Sequence, residues 1–148
     1  MHYHLEIILP PTANVEAAVE EIMEPFKEQE EERRYSFFDW YYMGGRWSTV
    51  KEAISPNEII TLSQLPKGLT CYRVIIAGRK TKEVKLETTF MIQRHFFNGV
   101  NSVEVDWDGT VQQALEKAKE SWKWYGPEIQ EAYTPKGDWL VVTVDYHS

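Results

Sequence analysis

The sequence predicts an α+β protein: a mostly antiparallel sheet with two main helices on one face, as a ferredoxin-like split β-α-β variant with an inserted hairpin. Three patterns carry this expectation. Both ends of the chain alternate apolar and polar residues with the two-residue period of a strand. Two interior stretches repeat apolar residues at helical spacing behind a side chain suited to cap them. Between them lies a strand–turn–strand pattern about Gly78-Arg79-Lys80.

Taken in order, residues 3–9 read as a strand, with Tyr3, Leu5, Ile7 and Leu9 on one face and His2, His4 and Glu6 on the other. Pro10-Pro11 stops it. Asn14 is an N-cap for a helix whose stripe is Val15, Ala18, Val19, Ile22, Met23 and Phe26. Pro25 ends or kinks that helix, because its ring opposes the carbonyl four residues back. The glutamate run 28–32 is a solvated end. Residues 35–43 form an aromatic strand closed by Gly44-Gly45, and 56–65 a short helix with Pro56 in its first turn, stopped by Pro66. The hairpin arms are 71–77 and 83–92, and a loop at 98–101 leads to a strand at 103–107. Thr110 and Gln113 make a capping box for a helix striped by Val111, Ala114, Leu115, Ala118, Trp122 and Tyr125, interrupted at Gly126-Pro127. A turn at 135–138 precedes a final strand at 139–146. With no repeat and no low-complexity linker, residues 1–148 read as a single domain.

Composition narrows the function classes. A net charge of −7 argues against stable duplex nucleic-acid binding. The charge is unevenly spread: residues 14–32 hold eight glutamates against Lys27, and residues 67–94 seven basic side chains against Glu83 and Glu87. The single Cys71 excludes an internal disulfide and reads as inert. No apolar stretch approaches the roughly 20 residues needed to cross a bilayer, so a soluble cytoplasmic protein without membrane contact is expected. No P-loop, dinucleotide glycine fingerprint, Cys-x-x-Cys or nucleophile elbow is present, and no cofactor is expected.

The least probable run as plain structure is residues 37–47, with six aromatics, Asp39, Gly44-Gly45 and Arg46 in eleven positions. The glycines permit positive φ and close approach of a ligand or another segment. Arg46 offers a planar fork of donors to a phosphate or carboxylate. Trp40 and Trp47 offer flat faces for a base or sugar. The alternative is a tight turn, an Arg46–Asp39 pair and aromatics spent on the core. If the first and last strands pair antiparallel, His2, His4 and Glu6 fall beside Thr143, Asp145 and His147 on a helix-free face. Such a group suits a divalent metal, an acid–base pair, or simply two polar strand ends; no metal ligand set is singled out. The tip Arg79, Lys80 and Lys82 is a phosphate lure or a solubilising end. Trp122, Trp124 and Tyr125 suit the core or a homo-oligomer interface.

The string Asp39-Trp40-Tyr41-x-x-Gly44-Gly45-Arg46-Trp47 resembles the Asp-Trp-Tyr/Phe…Gly-Gly-Arg-Trp signature of uncharacterised small proteins of phages and prophages. The ending Val144-Asp145-Tyr146-His147 is similar to the hydrophobic-Asp-x-His ending of the same proteins. The resemblance covers these two segments and the order of elements, while residues 50–105 depart from it. It implies that Gly44, Gly45, Arg46, Trp47, Asp145 and His147 belong to one site, and that interference with host defence in the host cytoplasm is a reasonable role.

The leading expectation is a non-catalytic binding protein for a small anionic, nucleotide-like ligand, able to sequester a host signalling nucleotide. Its ligand residues are Asp39, Trp40, Gly44, Gly45, Arg46, Trp47, Asp145 and His147. One alternative is a phosphoester hydrolase, metal-assisted or acid–base, using His4, Asp145 and His147. Another is an inhibitor that presents the acidic surface of residues 20–32 to a basic host protein.

Overall fold

The computed structural model describes residues 1–28, 36–56, 58–78, 96–97, 100–104, 109–123 and 126–148. It is an α+β protein, and the described residues build one seven-stranded sheet in which all strand pairings but one are antiparallel. The strands are β1 (His2–Leu9), β2 (Trp40–Met43), β3 (Ile59–Thr61), β4 (Arg73–Ala77), β5 (Phe96–Phe97), β6 (Val100–Glu104) and β7 (Leu140–His147). The helices are α1 (Val15–Met23), α2 (Val111–Trp122) and α3 (Pro127–Tyr133). The sheet order is β2-β7-β1-β4-β6-β5, and β3 shares with β2 the outer edge of β7. No helix among the described residues is long and apolar enough to cross a membrane.

β1 and β7 pair antiparallel along their whole length, from His2 opposite His147 to Leu9 opposite Leu140. On its other side β1 pairs parallel with β4, Leu5 opposite Arg73 through Ile8 opposite Ile76. These are direct hydrogen-bonded neighbours. In a split β-α-β unit another strand would separate them, so the topology departs from the ferredoxin-like expectation.

The helices also sit differently from the expectation of one shared face. Leu5, Ile7 and Leu9 of β1 join Val142, Val144 and Tyr146 of β7 beneath Val19, Ile22 and Met23 of α1. Ile8, Val74, Ile76 and Val141 have the opposite parity and meet Val111, Ala114, Leu115, Ala118 and Trp122 of α2 and Tyr133 of α3. Alternate residues of a strand point to opposite faces, so α1 covers one face and α2 with α3 the other. The cause is the central strands, where Ile7-Ile8-Leu9 and Val74-Ile75-Ile76-Ala77 are apolar at both parities and need cover on both sides. Burial of a side chain such as Val19 or Ile22 stabilises by roughly 1.5–3 kcal/mol.

The capping signals hold. Asn14 Oδ1 accepts from the Ala17 N–H at 3.1 Å. Thr110 Oγ1 accepts from Gln113 N–H at 3.1 Å, and Gln113 Oε1 accepts from Thr110 N–H at 2.9 Å. α1 ends at Met23, and Pro25 lies in a single 3-10 turn, Glu24–Phe26. Gly126-Pro127 interrupts the helical run and then restarts it, since Pro127 opens α3, an element with no counterpart in the sequence reading.

The short helix over 56–65 does not form. Glu58 has φ 58, which breaks a right-handed helix, and Ile59-Ile60-Thr61 pair with Val142, Val141 and Leu140 as β3. Two β-branched isoleucines beside an open strand edge favour the ladder, and only one 3-10 turn follows, Leu62–Gln64. The aromatic strand is shorter than expected, Trp40–Met43. The first hairpin arm is β4, whereas residues 79–80 and the second arm, 83–92, lie outside the described residues. β4 pairs antiparallel with β6, which begins at Val100 rather than Val103.

Candidate functional site

β2 lies antiparallel on β7, with Trp40 opposite His147, Tyr41 opposite Tyr146, Tyr42 opposite Asp145 and Met43 opposite Val144. Parity divides β2. Tyr41 and Met43 join the core beneath α1, while Trp40 and Tyr42 share a face with His147, Asp145, His2, His4 and Glu6. Phe38, before the strand, is also in that core. The Gly44–Trp47 and Asp145–His147 segments therefore meet in space. α2 covers the far part of this same face, and the chain after Gly44 covers the middle, so it is not the helix-free face expected.

Gly44 and Gly45 make that cover possible. Gly44 has φ 70 and ψ −71, and Gly45 has φ 55, both positive. They turn the chain onto β7 as the 3-10 turn Gly45–Trp47. A Cβ on Gly45 would overlap Cβ of Asp145 and stand 2.5 Å from its Oδ2. Only glycine allows so close an approach. The Arg46 N–H then donates to Asp145 Oδ2 at 3.0 Å, and His2 Nδ1 donates to Asp145 Oδ1 at 2.7 Å. Asp145 is buried, with both oxygens engaged.

Deeper under the turn is a charged network. Glu6, with no exposed surface, accepts from Lys51 Nζ at 2.5 Å, His4 Nε2 at 2.5 Å and Thr143 Oγ1 at 2.8 Å. Lys51 Nζ also donates to the carbonyls of Val141 at 3.0 Å and Glu58 at 3.2 Å, so its three protons all have acceptors. Trp47 stacks on His4 with centroids 5.0 Å apart and planes 13° from parallel. Burial pushes the Glu6 carboxyl up, but the His4 hydrogen bond and the Lys51 charge outweigh it and hold the group below its ordinary value. Burial draws the Lys51 ammonium below its ordinary range, with Glu6 opposing. Burial, seconded by Glu6, pushes the nearby Cys71 thiol far up, which fits an inert cysteine.

The outer end of the face is open. His147 Nδ1 donates to Asp39 Oδ1 at 2.8 Å, and Asp39 N–H donates to the His147 carbonyl at 3.0 Å. The His147 hydrogen bond holds the Asp39 carboxyl below its ordinary value. Trp40 stacks on the His147 ring, centroids 4.8 Å apart and planes 6° from parallel. His2 meets Trp40 edge-on at 5.1 Å and His147 edge-on at 5.5 Å. Trp40 remains 39% exposed and Tyr42 61%, unusual for large aromatics on a sheet. Arg46 is exposed, and its guanidinium has no hydrogen bond or ion pair among the described residues. The expected alternative of an Arg46–Asp39 pair is not made; Asp39 pairs with His147.

His4, Asp145 and His147 lie on one face, His4 opposite Asp145 in the register of β1 and β7, and each is hydrogen-bonded to a different partner: Glu6, His2 and Asp39. Among the described residues no group of three or more His, Cys, Asp or Glu side chains is placed to hold a metal ion. Lys51 has no place in the sequence expectation, and Tyr42 belongs to the aromatic motif without being among its expected ligand residues. Tyr42 was recoverable from parity with Trp40; Lys51 carries no local signal. Trp122 is buried in the core, while Trp124, Tyr125, Lys80 and Lys82 lie outside the described residues.

Fold and face together define an α+β protein with a two-sided mixed sheet, a buried ion network and an open aromatic–imidazole patch. Comparison with protein families, curated proteins and solved structures finds no match to this chain.

Proposed function

We propose that the protein binds a small anionic, nucleotide-like ligand at the patch formed by Trp40, Tyr42, His147 and Arg46. One observation carries this reading: the glycine turn fixes the Arg46 backbone on Asp145, on the sheet face that also carries exposed Trp40 and Tyr42, yet leaves its guanidinium without a partner among the described residues. Stacking of a base on an aromatic ring stabilises by about 1–3 kcal/mol, and a charge-assisted hydrogen bond to a phosphate by about 1.5–3 kcal/mol. Asp145, Gly44, Gly45 and Trp47 hold the platform, and Arg46, Trp40 and Tyr42 meet the ligand. In the phage setting suggested by the sequence motif, binding removes a host signalling nucleotide from circulation in the host cytoplasm.

Titration calorimetry against a panel of mono-, di- and cyclic nucleotides tests this directly. Arg46→Ala should weaken binding about 10- to 150-fold, the equivalent of one charge-assisted bond, with the thermal midpoint unchanged. Trp40→Ala should weaken it by a similar factor. Absence of binding across the panel, or an affinity indifferent to Arg46, overturns the proposal.

A further inference from the structure

Two imidazoles of the open patch are each oriented by a carboxylate, His2 by Asp145 at 2.7 Å and His147 by Asp39 at 2.8 Å. Both carboxylates hold the Nδ1 atom, so each ring presents Nε2 away from its anchor. The rings sit edge to face with centroids 5.5 Å apart, on adjacent strands and in register opposite one another. Both side chains keep access to solvent, 19% for His2 and 31% for His147. Neither ring belongs to the buried Glu6 network. A structural role needs one hydrogen bond to hold a ring; it does not call for two carboxylate-oriented imidazoles side by side, the second nitrogen of His2 unpaired among the described residues and that of His147 met only by the exposed Met1 amine.

We infer that His2 and His147 are a general acid–base pair acting on the phosphodiester of a ribonucleotide seated on the Trp40–Arg46 patch. The inference rests on the binding reading above and adds turnover to it. His147 is the base, because its Nε2 already accepts from the Met1 amine at 3.2 Å and so directs a lone pair outward. A substrate hydroxyl takes the place of that exposed amine. His147 removes the proton of the ribose 2′-hydroxyl, whose oxygen attacks phosphorus. The bond from phosphorus to the 5′-oxygen breaks, and protonated His2 delivers its proton to that oxygen. The products are a 2′,3′-cyclic phosphate and a free 5′-hydroxyl, with no water or cofactor consumed. Arg46 would face the phosphate charge and Trp40 the base, while Asp145 and Asp39 position the imidazoles. The titratable groups that face the two rings are Asp145, Asp39, the Met1 amine and each histidine toward the other.

The test is a mixture of all ribodinucleotides with a 3′,5′-phosphodiester, alongside the 2′-deoxy series, with products resolved by chromatography and mass. Cleavage of the ribo series alone, to cyclic phosphate, is expected, with a bell-shaped pH profile. His2→Ala and His147→Ala should each lower the rate at least 100-fold, within the range for loss of a general acid or base. Asp39→Asn, which keeps both imidazoles, should lower kcat and move one limb of the profile, a signature a merely structural role would not give. Ribodinucleotides that bind but are not cleaved sink this inference and leave the binding reading intact. Cleavage that survives in the His2→Ala/His147→Ala double variant also sinks it. Absence of both binding and cleavage removes both.

Discussion

Lys51→Met probes the buried network beneath the patch. Among the described residues the ammonium supplies one of three hydrogen bonds to Glu6 and the only buried positive charge at hydrogen-bond distance from it, apart from any proton on His4. Methionine matches much of the lysine stem but leaves the carboxylate uncompensated at a point with no exposed surface. Loss of one partner of a buried ion pair costs about 3–5 kcal/mol. In a chain of 148 residues each kcal/mol moves the thermal midpoint by about 2–4 °C, so a fall of roughly 6–20 °C is expected. Glu6→Gln alone should also destabilise, since it strands the ammonium. The Glu6→Gln/Lys51→Met double variant should recover about 2 kcal/mol relative to the sum of the singles, because no charge is then buried alone. Urea unfolding at pH 7, with unchanged slopes to license the comparison, provides all four corners of the cycle. A Lys51→Met cost below about 1 kcal/mol, or singles that add to within about 0.5 kcal/mol, refutes the ion-pair account.

Three further outcomes follow from the same geometry. Gly45→Ala should destabilise by at least about 2 kcal/mol, because φ 55 and the overlap with Asp145 act together, and calorimetry should show ligand affinity falling with it. Stability should drop on acidification: Glu6 and Asp39 have folded-state carboxyls below their ordinary values of 4.5 and 3.8, so the unfolded chain binds more protons in acid. Their contribution is complete above those values and is lost as pH falls through the folded ones; urea midpoints from pH 7 to pH 3 should decline, and Glu6→Gln should flatten the decline. Thr110→Ala should cost about 1 kcal/mol by opening the capping box of α2, measured by the same unfolding.

The pairing of the two terminal strands was legible because each carries its polar residues at one parity. His2, His4 and Glu6 could stand opposite His147, Asp145 and Thr143 only in one register, and that is the register found. The placement of the helices was less legible. It required weighing Ile7-Ile8-Leu9 and Val74 to Ala77 as two-sided apolar runs rather than as one alternating face with noise. Lys51 was not legible at all. Its acceptors on Glu6 and Val141 are 45 and 90 residues away, so nothing near it in the chain distinguishes it from a solvated lysine. The helix read at 56–65 failed for a related reason: Pro56 is a local signal, whereas the vacant edge of β7 that captures Ile59-Ile60 exists only after folding.

The aromatic run at 37–47 acquires its two roles from register alone. Shifting β2 by one residue along β7 would send Tyr41 and Met43 to the open face and Trp40 and Tyr42 into the core beneath α1. What opposes that slip is the pair of contacts at its two ends. Asp39 is held to His147 through both backbone and side chain, and Gly44 N–H donates to the Thr143 carbonyl at 2.9 Å just before the turn closes on Asp145. Asp145 therefore does more for the site by being buried than it could by touching a ligand. Its two oxygens fix the His2 ring and the Arg46 backbone at once, while the Arg46 side chain stays exposed. Replacing Asp145 with asparagine would keep one acceptor oxygen and lose the other, so the glycine turn and the His2 ring could not both stay anchored.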